Sequence, residues 1–234
     1  MPRVHFAYDL EKDIWNALRV INEPSHHDPR EDVSWMFGRL PAEFVAEMRG
    51  LGAADEQRTK IAAHLKGEHE NVRELIEQRI KLFSEKWMMV NNAYFEKIEH
   101  IFPGAFSAGE TFTAYLTNLG SCPFNIKEGW FMAKLGDTGA DAVVAHELLH
   151  FAFIRKYWRQ CKEVLKLSAK EFWDIQEATT FLLNEEMPGM FSRPDRGYPE
   201  HQKLRALLVD EWRAHKNFDS LLAHYATIKN SCKK

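Results

Sequence analysis

Apolar residues at 61, 65, 72, 76, 80, 83, 87, 90, 94, 98 and 101 recur mostly three or four apart, which predicts helix from about Asp55 to Phe102, with Gly67 and the Asn91-Asn92 pair as candidate breaks. Tyr, Phe and Trp interrupt any Leu/Ile heptad, so the stripe reads as a scaffold face packed on its own domain rather than a coiled-coil seam. Before it, Val4 to Tyr8 suits a short strand, and Glu11 to Ile21 has helical spacing through Ile14, Leu18 and Ile21. A loop is expected over 22–34, and a proline-initiated helix over Pro41 to Leu51. Thr111 to Thr117 alternates Phe112, Ala114 and Leu116 against Thr and Tyr, the period of a half-buried strand, with Trp130 to Lys134 as its expected partner.

The pattern then changes. From Ala142 to Ile154 every residue is apolar except His146, Glu147 and His150, and a helix apolar all round is a buried helix. Thr138-Gly139-Ala140-Asp141 reads as a capping box that starts it, and Ser168-Ala169-Lys170-Glu171 as a second box opening a helix to about Leu183. Met187 to Pro199 holds three prolines and two glycines and is read as a loop. Helices follow from Pro199 to His215 and from Phe218 to Ile228. The fold class is α+β and predominantly helical, with a small sheet ahead of the apolar helix and a helical C-terminal lobe. The chain divides into a mainly helical scaffold over 1–105 and a second region over 106–234.

Composition narrows the function classes. The 234 residues are 45% hydrophobic, with 16 Phe and 7 Trp, which suits a globular protein with a substantial core. A net charge of −3, with Lys and Arg spread along the chain, gives no argument for nucleic acid or an anionic membrane as partner. Cys122, Cys161 and Cys232 are widely spaced with no Cys-x-x-Cys, so neither a disulfide framework nor a thiolate metal site is implied. Without a leader pattern or an apolar run of spanning length, the expectation is a cytoplasmic protein.

The chemistry is concentrated in His146-Glu147-Leu148-Leu149-His150. Residues four apart on a helix lie one above the other, so His146 and His150 project two imidazoles to one side, with Glu147 beside them as a candidate general base. In an apolar helix these groups must be hydrogen-bonded, ion-paired or coordinated, because an unsatisfied buried polar group costs about 1–3 kcal/mol. One Zn2+ ion would satisfy all three. A catalytic zinc takes three protein ligands and one open position, and Glu177 is the candidate third, since Trp173 and Phe181, four residues to either side, turn it toward the core. Glu185, Glu186 and Asp174 are its rivals. The pattern from His64 to His69 has one residue too many for an inverted His-x-x-Glu-His motif and reads as an exposed helical face.

With the His-Glu-x-x-His motif and Gln176-Glu177-Ala178 on the following helix, the chain resembles the gluzincins, the thermolysin-like zinc metallopeptidases. The metzincin extension is excluded, because Phe153 and Lys156 stand where it needs Gly and His. The resemblance covers roughly residues 110–200. It implies a zincin-like core, a peptide or protein substrate, and hydrolysis by a metal-bound water with Glu147 as base. It also implies a donor to the oxyanion downstream of the Glu helix, for which Tyr198 and His201 are the candidates, and a substrate strand added at the edge of Thr111 to Thr117. Many gluzincins carry a carboxylate four residues after the ligand Glu to orient a zinc-bound His. Phe181 holds that position here, leaving Thr180, Asp174 or a backbone carbonyl for the task. A zincin-fold interaction or regulatory protein, toxin-like or sensor, and a helical structural protein without metal are the competing readings.

Overall fold

The structure, a computed structural model, describes residues 1–22, 34–38 and 40–229. Most of the expected loop over 22–34, including His26 and His27, and Cys232 lie outside the described residues. Contacts group the chain into two units, neither of them one continuous stretch: residues 4–87 with 111–140, and residues 1–3, 88–110 and 141–234. A cut near residue 105 does not follow this grouping, because the strands of 111–134 go with the N-terminal helices. No helix among the described residues is long and apolar enough to cross a membrane.

The first unit carries a four-stranded mixed sheet, which makes the fold α+β. Its strands are β1 (Arg3–Ala7), β2 (Thr111–Thr117), β3 (Phe124–Asn125) and β4 (Trp130–Lys134), in the order β1-β2-β4-β3. β2 runs parallel to β4 with Thr113 opposite Trp130, and β3 pairs antiparallel with β4. Phe112, Ala114 and Leu116 are buried, as the alternation predicts. The expectation that β2 offers an edge to a substrate strand is corrected, because β1 and β4 occupy its two sides.

Helices α1 (Leu10–Asn22), α2 (Ala42–Gly50) and α3 (Ala54–Ile101) supply the rest of this unit. Asp9 Oδ1 accepts the backbone N–H of Glu11 at 2.9 Å and satisfies the open end of α1. Ile14, Ala17 and Ile21 of α1 pack with Val45 and Met48 of α2 and with Ile61 and Leu65 of α3. α3 runs 48 residues without a break, so neither Gly67 nor Asn91-Asn92 interrupts it. His64 and His69 do not form an exposed face. His64 stacks on Phe44 at 4.5 Å and His69 on Tyr8 at 4.7 Å, covering apolar surface with their rings.

Asp13 is the costly residue of this unit. Burial pushes its carboxyl up to about 6, although the Thr117 and Tyr8 hydroxyls and the Asn118 backbone hold it down in part.

The second unit is built on α4 (Ala140–Arg159), α5 (Ala169–Ala178), α6 (Leu182–Glu186), α7 (Gln202–His215) and α8 (Phe218–Ile228), with the last turns of α3. Ala145, Leu148, Leu149, Phe151, Ala152 and Phe153 are inaccessible to solvent, so α4 is the buried helix its composition predicts. Phe102, Phe153, Tyr157 and Phe218 form an aromatic cluster against its C-terminal half. Beside the motif, the Tyr94 hydroxyl donates to Ala145 O at 2.9 Å. The start of α4 differs from expectation. Asp141 directs its carboxylate to the backbone N–H and hydroxyl of Ser192 instead of closing a capping box with Thr138. The box at Ser168 and Glu171 forms with both of its reciprocal bonds.

Two stability outcomes follow. Gly67 is exposed within α3, and a Cβ there meets nothing within 4 Å. Gly67→Ala should therefore raise stability by about 0.5–1 kcal/mol in denaturant titration, by lowering the entropy of the unfolded chain. For Asp13, the folded form binds its proton more tightly than the unfolded chain. Its contribution is thus fully present below the ordinary carboxylate pKa and is lost as pH rises through about 6. Between pH ~4 and ~7 the stability of Asp13→Asn should rise relative to the native chain by on the order of 2–3 kcal/mol; parallel profiles would show that Asp13 titrates normally.

Candidate metal centre

Three side chains from two helices meet at one point. On α4, the four-residue spacing sets the rings of His146 and His150 with centroids 4.4 Å apart and Nε2 atoms 2.8 Å apart. The Ser168 cap fixes the start of α5, and two turns later Glu177 brings Oε1 to 3.2 Å from His150 Nε2 and Oε2 to 3.4 Å from His146 Nε2. One donor atom from each residue lies within 4.8 Å of the others, a grouping able to hold a metal ion. His150 and Glu177 are buried, and His146 is partly open.

The rival ligands are committed elsewhere. Glu185 makes two bonds to the Arg213 guanidinium, and Glu186 accepts from the Trp212 indole and pairs with Lys216. Asp174 pairs with Lys170 and with His201 Nε2 at 3.2 Å. Tyr198, Trp173 and His201 pack ring against ring, with Tyr198 exposed and His201 buried. Tyr198 and His201 thus share one cluster, anchored to α5 one turn before Glu177.

The residue that orients His146 is Asp195, whose Oδ2 lies 2.7 Å from His146 Nδ1. Neither Thr180, Asp174 nor a main-chain carbonyl takes this part. With its Nδ1 proton donated to the carboxylate, a neutral His146 would turn its Nε2 lone pair toward His150 and Glu177, the tautomer that coordination needs. Asp195 Oδ1 in turn meets the Thr180 hydroxyl at 2.8 Å and Arg205 Nη1 at 2.9 Å. The Asn184 side chain clasps the Asp195 main chain, donating to its carbonyl at 2.7 Å and accepting its N–H at 2.9 Å. Sequence reasoning missed Asp195 and Arg205. The one available signal was that Asp195 is the single acidic residue in the loop over 187–199.

Electrostatics follow from this packing. Burial opposes protonation of His146, but its hydrogen bond to Asp195 and the charges of the neighbouring Glu177 and Glu147 carboxylates outweigh it and lift its pKa well above that of an ordinary imidazole. For Glu177, burial is likewise outweighed by the two imidazoles, which hold the carboxyl far below the usual range. Asp195 is lowered for the same reason, with Arg205 and Thr180 adding to His146. Glu147 goes the other way: burial raises it, and the imidazoles offset this only in part.

The donor set fits a divalent cation. Glu147, Glu177 and Asp195 bring three negative charges and Arg205 one positive, leaving two negative charges when both imidazoles are neutral. Glu177 Oε2 is buried and accepts no hydrogen bond, an orphaned acceptor of the kind that a cation satisfies.

Replacing Glu177 with Ala should weaken metal binding by more than about 100-fold in chelator competition, because loss of an outer partner alone costs 10–100-fold. Glu185→Ala, which removes a partner of Arg213, should leave binding unchanged; the reverse order would reassign the third ligand.

Comparison with protein-family models, curated proteins and solved structures finds no match to this chain.

Proposed function

We propose that the protein is a zinc-dependent metallopeptidase, with His146, His150 and Glu177 as the metal ligands and Glu147 as the general base. The observation that carries this reading is the convergence of two imidazole nitrogens with a buried carboxylate that has no hydrogen-bond donor for one of its oxygens. Two nitrogens and one carboxylate oxygen are the ligand types of a catalytic zinc site, which keeps a fourth position open. Zinc held there supplies Lewis acidity, making water nucleophilic near neutral pH and polarising a carbonyl.

The side chains divide the remaining work. Glu147 follows His146 directly in the helix, and burial strengthens its hold on a proton. A carboxyl so tuned can take a proton from the attacking water and pass it to the leaving amine. Asp195 keeps His146 turned and in one tautomer through the exchange. Tyr198 and His201 are the candidates to donate a hydrogen bond to the oxyanion. Asp174 orients the buried His201, and Tyr198 stands at the exposed side of the same cluster.

The native chain should purify with one zinc per molecule and cleave members of an unselected peptide pool. Glu147→Gln should keep the zinc and lose about 10²–10⁴-fold in cleavage rate, the usual worth of a general base. Tyr198→Phe should lose about 10²-fold if its hydroxyl is the oxyanion donor. Absence of stoichiometric zinc, or a Glu147→Gln chain as active as the native one, overturns the proposal.

A further inference from the structure

Arg205 stands behind Asp195, one step farther from His146. It lies on the first turn of α7 and is 5% exposed, and its two terminal nitrogens address both parts of one residue. Nη1 bonds Asp195 Oδ1 at 2.9 Å, and Nη2 donates to the Asp195 carbonyl at 3.2 Å. Nη1 also donates to the Thr180 hydroxyl, which itself meets both the Glu177 carbonyl and Asp195 Oδ1 at 2.8 Å. A lysine ammonium cannot present two donors in that fixed fork.

The loop backbone closes over the guanidinium. Gly197 has φ of +59°, and a Cβ there would stand 2.5 Å from Arg205 Nη1. With Asn184 on its other side, Asp195 has every main-chain and side-chain polar atom engaged, and only Oδ2 faces the imidazole. The same loop is pinned a second time, through Ser192, to Asp141 at the start of α4. Displacement of the loop at Asp195 would release His146 Nδ1 and with it the fixed tautomer.

We infer that Arg205 is a positioning residue for His146, acting through Asp195, and that it couples docking of the loop over 187–199 to metal binding. The inference rests on the metal reading of the triad. Because linkage is reciprocal, a metal that prefers the oriented His146 must also stabilise the docked loop. Arg213 provides an internal control. It sits on the same helix and pairs with Glu185 at 2.7 Å, in a more exposed setting with no bond to the triad.

The test measures zinc affinity by competition with a chromogenic chelator at fixed pH, with circular dichroism to report folding. Trypsin cleavage after Arg196, an exposed residue of the loop, reports docking. Arg205→Leu should bind zinc about tenfold more weakly, at the lower end of the range for outer partners. Arg213→Leu should change affinity less than about twofold, as for an exposed pair. In an Asp195→Asn background the Arg205 effect should fall below about twofold, since its route to His146 is gone. Zinc should slow cleavage after Arg196 in the native chain and do so less in Arg205→Leu.

Unchanged zinc affinity in a folded Arg205→Leu overturns the inference, as does an equal loss in both backgrounds. Should Arg205→Leu not fold, Arg205→Lys carries the test. It should weaken zinc in the same direction, and an unchanged affinity overturns the inference. A native chain that binds no zinc instead defeats the metal reading itself.

Discussion

Burying charge in an apolar helix is the constraint from which the rest of the candidate metal centre follows. α4 excludes water along most of its length, yet it carries two imidazoles and a carboxylate. Each imidazole must find a partner within the protein, because leaving one unpaired would cost a substantial part of the few kcal/mol by which folded chains are stable. Glu177 answers for His150 and one side of His146, and Asp195 for the other side. These partners are charged and buried as well, so the requirement passes outward to Thr180, Asn184 and Arg205. The chain of partners ends at a guanidinium, a cation that stays charged when buried.

Why the orienting carboxylate comes from a loop can be traced to the backbone after Glu177. Residues Thr179–Phe181 form a 3-10 turn between α5 and α6. Such a turn advances about 120° per residue instead of about 100°, so three residues shift the phase of all that follows by about 60°. Position 181, four beyond Glu177, is turned into the apolar interior and holds a phenylalanine at 2% exposure. Thr180 meanwhile faces the loop and bonds Asp195. The carboxylate that meets His146 comes from Asp195, 15 residues beyond Thr180.

Local signals in the sequence were legible, and long-range ones were not. The stripe of α3, the apolar run of α4, the cap at Ser168 and the bounds of α8 depend on neighbours within one or two turns, and each is present as read. Bringing together His146, His150 and Glu177 needed one inference across two helices, carried by the aromatic residues that flank Glu177. The pairings of Asp195 with His146 and of Arg205 with Asp195 have no periodicity behind them; the first joins residues 49 apart. Asp141 shows the converse error. Its spacing from Thr138 satisfies the local rule for a cap, but Ser192, 51 residues away, offers two donors and takes the carboxylate. The sheet misled for a related reason, since nothing within β2 announces that β1, a hundred residues earlier, will occupy its free side.

The anchors of α4 act together in a way that no single bond does. Tyr94 holds the carbonyl of Ala145, Asp141 is held by Ser192, and His146 by Asp195. Their points of attachment lie at residues 141, 145 and 146, all within the first two turns and just ahead of or at the histidine pair. A buried helix packed by apolar contacts alone could rotate or slide slightly at little cost, whereas directional bonds at three points resist both motions. Rotation of one residue about the axis is about 100°, enough to carry both imidazoles off Glu177. Catalytic and metal constellations need side chains held within roughly 0.5 Å of their working positions. The polar bonds around α4 therefore fix the helix both along and around its axis, and with it the positions of its two histidines.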